Sequence, residues 1–398
     1  LRALLVEQIH PDAVELLTSA GYEVEEIDRA LDEDELVERL PGFHMIGLRS
    51  KTMLTARALD AGSDLLAIGA FCIGTNQIDL GAASARGIAT FNAPFSNTRS
   101  VVELAISEII ALTRRLTEKN EGMHNGVWDK SADGAHEVRG RTLGIVGYGN
   151  IGTQLSVLAE NLGMRVLFYD TADKLALGNA HRAGSLLELL NKSDVVTLHV
   201  DGRASNKSIF GAPQFAAMKP GALFLNLSRG FVVDEDALRR NVASGHIGGA
   251  ALDVFPEEPK GRGDEFVSQL RGLPNVILTP HIGGSTEEAQ RDIGHFVAGK
   301  FIDYLTDGNT SLSVNLPPLS LPRRQGTLRL VHLHQNVPGV LARINGLLAE
   351  HGVNVEGQLL GTRGEVGYVV TDSASGTTQA IVDQIRAMPE TIRLRVIF

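Results

Sequence analysis

Cysteine is almost absent: Cys72 is the only one in 398 residues. That excludes an internal disulfide and a Cys-rich zinc site, and no metal site is expected. Long apolar runs are also missing, so a membrane-spanning helix is not expected. Basic charge is in short supply, with 37 Lys and Arg against 47 Asp and Glu, a formal net charge of −10. Such a chain lacks the electrostatic footprint of a nucleic-acid wrapper or a binder of anionic membranes. A local basic site for a small anion stays open. Aromatic residues are sparse at 5%, whereas glycine numbers 43. Gly-rich turns between short apolar runs suit a layered α/β sheet protein. The opening LRALLVE reads as a first strand rather than a signal peptide. With one cysteine, this fits a reducing compartment, and the cytoplasm is the expected location.

The first segment alternates strand and helix patterns from LRALLVE to IATFNA. Pro11 at a helix start and Gly21 after its end are ordinary punctuation. From Pro94 the pattern changes: FSNTRSVVELAISEIIALTRRL reads as one long amphipathic helix, with Ser96 or Asn97 as N-cap. Five strand patterns then recur between helices, and a sixth, NVILTPHIGG, precedes another helix. Repeated βα units of this length imply parallel, doubly wound sheets. SLSVNLPPLSLPRRQG reads as a linker. Beyond it the order is βαββαβ, a ferredoxin-like arrangement. The expected domains are 1–96 with 284–325, 97–283, and 326–398.

Gly147-Tyr148-Gly149-Asn150-Ile151-Gly152 matches G-x-G-x-x-G. An apolar strand leads in, a helix pattern leads out, and the next strand ends in Asp170 about twenty residues on. The glycines let the backbone approach a pyrophosphate, and the helix N-terminus offers it amide donors. Asp170 suits the adenosine ribose hydroxyls and repels a 2′-phosphate, so NAD is favoured over NADP.

At this point the residues resemble a known family, the NAD-dependent D-2-hydroxyacid dehydrogenases. The resemblance rests on GLRSKT, FCIGTNQIDL, FNAPFSNTRSVVEL, GIVGYGNIG, NLSRGFVVDEDAL, ALDVFPEEP, LTPHIGGSTEEAQ and HLHQNVPGVL, and covers essentially the whole chain. It implies catalytic roles for Arg229, Glu258 and His281, each just beyond a strand pattern. His281 would exchange the hydroxyl proton, Glu258 would bond its other ring nitrogen, and Arg229 would hold the carboxylate in its planar fork. Gly147, Gly149, Asn150, Ile151, Gly152, Asp170, Leu227, Ser228, Asp253, Gly283 and Gly284 would face NAD, although Asp253 reads almost equally well as a helix N-cap. Arg49, Ser50 and Asn97 would face substrate, with Lys51 adding charge nearby. Where relatives often continue HVP after the strand DVVTLHV, this chain has Asp201, so a less rigid adenosine loop is expected.

The C-terminal unit resembles an ACT domain, in which His334, Asn336 and Asn354 would contact an amino-acid effector. The resemblance implies oxidation of 3-phosphoglycerate at the entry to serine biosynthesis, L-serine as effector, and a homotetramer. Trp128 reads as an anchor at a subunit contact, and Lys130 as a solvated side chain. Hinges are expected near Pro94, Gly283-Gly284 and Gln325-Gly326. Rival readings are the same chemistry on glyoxylate or D-lactate, an NAD-sensing binding protein, and an amino-acid sensor with an inactive dehydrogenase.

Overall fold

The computed structural model describes residues 1–259, 263–324, 326–374 and 377–397. Two compact units emerge, Leu1–Ser96 with Gln290–Phe398, and Asn97–Ala289. In the first unit, strands β1 (Arg2–Val6), β2 (Glu23–Ile27), β3 (Met45–Leu48), β4 (Ala67–Ala70) and β5 (Ala89–Asn92) form a parallel sheet ordered β2-β1-β3-β4-β5. β1, β3 and β4 are buried along nearly their whole length, as strands covered on both faces must be. The topological switch point lies between β1 and β3, at whose C-terminal ends ligands bind in such sheets.

The second unit holds seven parallel strands: β6 (Thr142–Val146), β7 (Arg165–Tyr169), β8 (His181–Arg182), β9 (Val195–Leu198), β10 (Ala222–Asn226), β11 (Ile247–Leu252) and β12 (Val276–Leu278). Their order is β12-β11-β10-β9-β6-β7-β8, a dinucleotide-fold order whose switch point lies between β6 and β9. The helix expected from Pro94 onward runs over Thr98–Arg114, and a second helix, Leu116–His124, follows it. Arg115 adopts a left-handed conformation (φ 50°) between them, its amide bonded to the carbonyls of Ala111 and Leu112. Asn97 is the N-cap residue but makes no side-chain cap bond.

The C-terminal part of the first unit folds as the sequence pattern implied. Strands β13 (Leu328–Gln335), β14 (Val355–Arg363), β15 (Val366–Ser373) and β16 (Thr391–Ile397) form an antiparallel sheet ordered β14-β15-β13-β16. Helices Val340–Glu350 and Gln379–Arg386 pack on one face through Val340, Ile344, Leu348, Ile381 and Ile385. The other face is not free. Val331, Leu333, Tyr368 and Val370 share one core with Phe91, Val297 and Phe301 of the first sheet's layers. Arg393 donates to the carbonyl of Leu65 (2.5 Å), Arg395 to that of Leu305 (2.8 Å), and the Tyr368 hydroxyl to that of Gly308 (2.5 Å).

The stretch read as a linker is a packed strap. Leu316 and Leu319 are buried in that common core. Asn315 accepts from the Thr90 amide and donates to the Ile88 carbonyl. Its prolines and serines signalled irregular backbone correctly, but Leu316 and Leu319 bury it. The hinge expected at Gln325-Gly326 falls partly on Gln325, which lies outside the described residues. Among the described residues no helix is long and apolar enough to cross a membrane.

Candidate active site

Strand β10 ends in Asn226, fully buried, which ties the following turn together. Its amide donates to the Arg229 carbonyl (3.0 Å), and its carbonyl oxygen accepts from the Ser228 amide (3.1 Å) and hydroxyl (2.8 Å). Gly230 is obligatory here, because a Cβ would fall 1.9 Å from the Phe255 carbonyl carbon. The turn thereby sends Arg229 outward, its guanidinium bonded only to the Ser228 carbonyl (2.7 Å) among the described residues. Leu227 is buried beneath it.

Glu258 and His281 meet directly: Glu258 Oε2 lies 2.8 Å from His281 Nδ1, and Glu258 Oε1 accepts from the Phe255 amide. The Glu258 bond and charge hold the His281 imidazole above its ordinary pKa, against burial and the Arg229 charge. Burial pushes the Glu258 carboxyl up, but His281, the Phe255 amide and Arg229 outweigh it and leave it below the usual range. Arg229 acts on both groups, so all three share one electrostatic neighbourhood. His281 also sits at φ 54°, uncommon for a side-chain-bearing residue and costly unless its surroundings enforce it.

Asp253 supplies that enforcement. It follows β11, the next helix among the described residues starts only at Glu287, and its carboxylate accepts from the Thr279 hydroxyl (2.7 Å), the Ile282 amide (2.7 Å) and the Gly283 amide (2.8 Å). The helix N-cap reading is therefore corrected: Asp253 braces the loop that carries His281. A Cβ on Gly283 would come 2.9 Å from Asp253 Oδ2, and one on Gly284 would come 2.6 Å from the Asn97 amide nitrogen. Both glycines thus serve close packing within this unit. The buried Oδ1 of Asn97 has no partner among the described residues.

The three glycines after β6 have three separate reasons. Gly147 has φ +93°, and a Cβ there would lie 2.4 Å from the His199 carbonyl oxygen. A Cβ on Gly149 would meet nothing within 4 Å, which leaves open space in front of the turn. A Cβ on Gly152 would lie 2.4 Å from the Gly147 carbonyl oxygen, so the helix could not start this close to the turn. Asn150 and Ile151 open the helix Asn150–Asn161, whose first amides have no side-chain cap. Asp170 is fixed by the amides of Tyr148 and Ala172, both at 2.8 Å. This arrangement fits a dinucleotide: a bare turn, free amides for the pyrophosphate, and a carboxylate set for ribose. In the loop after β9, where the proline is missing, Asp201 pairs with Arg203 and receives Asn206 (3.0 Å).

A family model described as "D-isomer specific 2-hydroxyacid dehydrogenase, NAD binding domain" matches residues 106–283. An "AHAS small subunit-like ACT domain" model matches residues 330–393. The D-3-phosphoglycerate dehydrogenases of Haemophilus influenzae and Escherichia coli K12 are 50% and 51% identical to the chain. Each covers 100% of it, and it covers 97% and 98% of them. The chain belongs to the D-3-phosphoglycerate dehydrogenase family. Among solved structures, the D-lactate dehydrogenase of Aquifex aeolicus complexed with NAD and lactic acid matches 76% of the chain and 95% of its own length, at TM-score 0.67 and 26% identity. The chain is thus an NAD-dependent oxidoreductase with two parallel-sheet layers and an ACT-like domain.

In this dehydrogenase the remaining sequence candidates are dispersed. Arg49 and Ser50 follow β3 in the first unit. Trp128 and Lys130 are exposed. His334 is buried at the Gln335 end of β13, its Nε2 has no partner among the described residues, and Gly367 leaves room for its ring. Asn336 donates to the Gly364 carbonyl at that same end. Asn354 precedes β14, at the opposite end of the sheet, since Val355 pairs with Ser373 whereas His334 pairs with Gly367. Six residues of strand separate the two levels, about 20 Å at ~3.3 Å per residue. One small effector cannot touch all three within one chain.

Glu108 went unnoticed in the sequence, where it looks like one more helix carboxylate. It is buried, and neither oxygen has a partner among the described residues. Burial, with a smaller contribution from Asp253, pushes its pKa up to about 8. An unfolded carboxyl titrates near 4.5, so Glu108 favours the folded state fully below that value and loses this contribution as pH rises through about 8. Glu108→Gln is expected to raise stability by an amount that grows between pH 6 and 9, reaching a few kcal/mol at most. Urea midpoints across that range check it; a pH-independent difference would contradict it.

Proposed function

We propose that the chain oxidises 3-phospho-D-glycerate to 3-phosphohydroxypyruvate, the first step of L-serine synthesis, under feedback by L-serine. The observation that carries the catalytic part is the Glu258–His281 pair beside Arg229. Arg229 is free to fork onto the substrate carboxylate and polarise the 2-oxygen. His281 Nε2 takes the hydroxyl proton as C2 is oxidised, and Glu258 stabilises the resulting imidazolium. Bound NAD⁺ supplies the hydride acceptor. Arg49, Ser50 and Lys51 receive the phosphate; neither cation has an ion-pair partner among the described residues.

The regulatory part rests on the separation of Asn354 from His334 and Asn336. β14 is an edge strand, with Leu359 and Leu360 exposed along it. Antiparallel pairing of two β14 edges brings Asn354 of a second copy toward the His334 end. L-Serine bound there would join two chains, in keeping with a homotetramer built from two-fold contacts. The three sheets then serve as substrate, NAD and regulatory domains of a cytoplasmic enzyme.

The test follows NADH absorbance with 3-phosphohydroxypyruvate, hydroxypyruvate, glyoxylate and pyruvate, with and without L-serine. Preference for the phosphorylated acid, slowed by serine, is expected. Preference for an unphosphorylated acid would refute the substrate assignment, and an unchanged rate at saturating serine would refute the feedback.

A further inference from the structure

Glu7 immediately follows β1, next to the switch point of the first sheet. It is nearly buried, and both Glu7 (φ 70°) and Gln8 (φ 54°) adopt left-handed conformations. Two consecutive side-chain-bearing residues in that region are costly and need local compensation. The compensation is visible. The Glu7 amide bonds the carbonyls of Ile27 (3.0 Å) and Arg29 (3.3 Å). Its carboxylate reaches across the switch point to the loop after β3, where Oε2 accepts from the Lys51 amide (3.0 Å) and Oε1 from the Thr52 amide (2.6 Å). From the other side Gln77 donates to the Arg49 carbonyl (2.5 Å), and the Leu54 amide bonds the Gln77 carbonyl (2.8 Å). The backbone from Arg49 to Leu54 is thus held at four places, while Ser50 and Lys51 point into solvent and Arg49 is half-exposed.

We propose that Glu7 is a positioning residue for the substrate phosphate: by clamping two consecutive loop amides, it sets the geometry in which Arg49, Ser50 and Lys51 meet that group. This rests on the proposed phosphorylated substrate. The alternative role for a buried carboxylate near two cations is electrostatic, and it has the opposite sign. As a mere negative charge, Glu7 repels a phosphate, and neutralising it should tighten phosphate binding. As a clamp, Glu7 is needed in its two-acceptor form. Glutamine has one acceptor oxygen and would turn an amide group toward an N–H, leaving one loop amide unpaired.

The experiment compares wild type, Glu7→Gln, Glu7→Asp and Arg49→Ala on 3-phosphohydroxypyruvate and hydroxypyruvate, with NADH affinity measured by fluorescence. For Glu7→Gln, KM for the phosphorylated acid should rise about tenfold or more, the scale of a lost charged hydrogen bond. Its kcat, its KM for hydroxypyruvate and its NADH affinity should stay near wild type. Glu7→Asp, which keeps two acceptors on a shorter arm, should recover part of the loss. An unchanged or lowered KM for the phosphorylated acid overturns the proposal, and so does an equal loss on both acids, which would mark Glu7 as merely structural. If Glu7→Gln does not fold, Gln77→Met frees the Arg49 carbonyl from the opposite side and carries the same expectation and the same refutations. Should Arg49→Ala leave the preference between the two acids unchanged, the phosphate assignment itself fails and this proposal falls with it. A loss of preference in Arg49→Ala but not in Glu7→Gln overturns the role of Glu7 alone.

Discussion

Replacing His281 with alanine is expected to lower kcat by about 10²–10⁴-fold, the range that general acid–base catalysis supplies. NADH binding, read by fluorescence, should survive, because the glycine turn and Asp170 stand on other strands. The pH dependence separates this role from a structural one. Oxidation requires neutral imidazole, so kcat/KM for oxidation should rise with pH through a pKa above the ordinary histidine value. The reverse reaction requires imidazolium and should fall through the same pKa. Glu258 is the main reason that pKa is raised. Glu258→Gln should therefore move both limbs to lower pH and reduce kcat less severely than loss of the imidazole. Undiminished turnover in His281→Ala would remove it from the mechanism. Limbs that do not move in Glu258→Gln would contradict the coupling.

Asp372→Ala should destabilise the folded chain by about 3–5 kcal/mol, the usual cost of stranding a buried charge. Arg329 and Asp372 are fully buried and joined by two bonds of 2.7 Å, from Nε to Oδ1 and from Nη2 to Oδ2. Arg329 also donates to the carbonyls of Asp307 (2.8 Å) and Pro322 (3.2 Å). It therefore ties β13 to the end of the helix Glu287–Asp307 and to the packed strap. Without Asp372 the guanidinium keeps two neutral acceptors and no counter-charge. The double variant Arg329→Met with Asp372→Leu should recover most of the loss, since apolar groups of similar volume can replace a buried pair. Urea denaturation followed by circular dichroism measures all three chains. A loss below about 1 kcal/mol in Asp372→Ala would show that the pair is solvated in solution.

Much of the fold is local in origin and was legible along the chain. Period-two apolar runs, glycine punctuation and the βαββαβ order give the three sheets directly, because each depends on neighbours within about thirty residues. The G-x-G-x-x-G turn was legible for the same reason, with strand, turn, helix and Asp170 contiguous in sequence. Arg229, Glu258 and His281 became candidates through the family resemblance, supported by their place just past apolar runs, since a parallel sheet gathers such ends at one edge. Less could be read where a residue's partner lies far away. Asp253 could be weighed only as a cofactor contact or an N-cap, because its true partners are 26 to 30 positions on. The stretch 311–326 was read as a linker because proline and serine mark irregular backbone, which need not be exposed. Glu7 gave no signal, since its clamp spans 44 residues.

The sequence by itself determined the architecture and the cofactor, because periodicity, turn chemistry and motif spacing act over short stretches of chain, and the family resemblance marked three candidate side chains for the chemistry. Only the tertiary structure decided which carboxylates brace loops, that Glu108 is buried without a partner among the described residues, and how the ACT-like sheet seals its second face. The physical reason is that a carboxylate's role depends on the donors that reach it and the water it loses, and distant segments supply both.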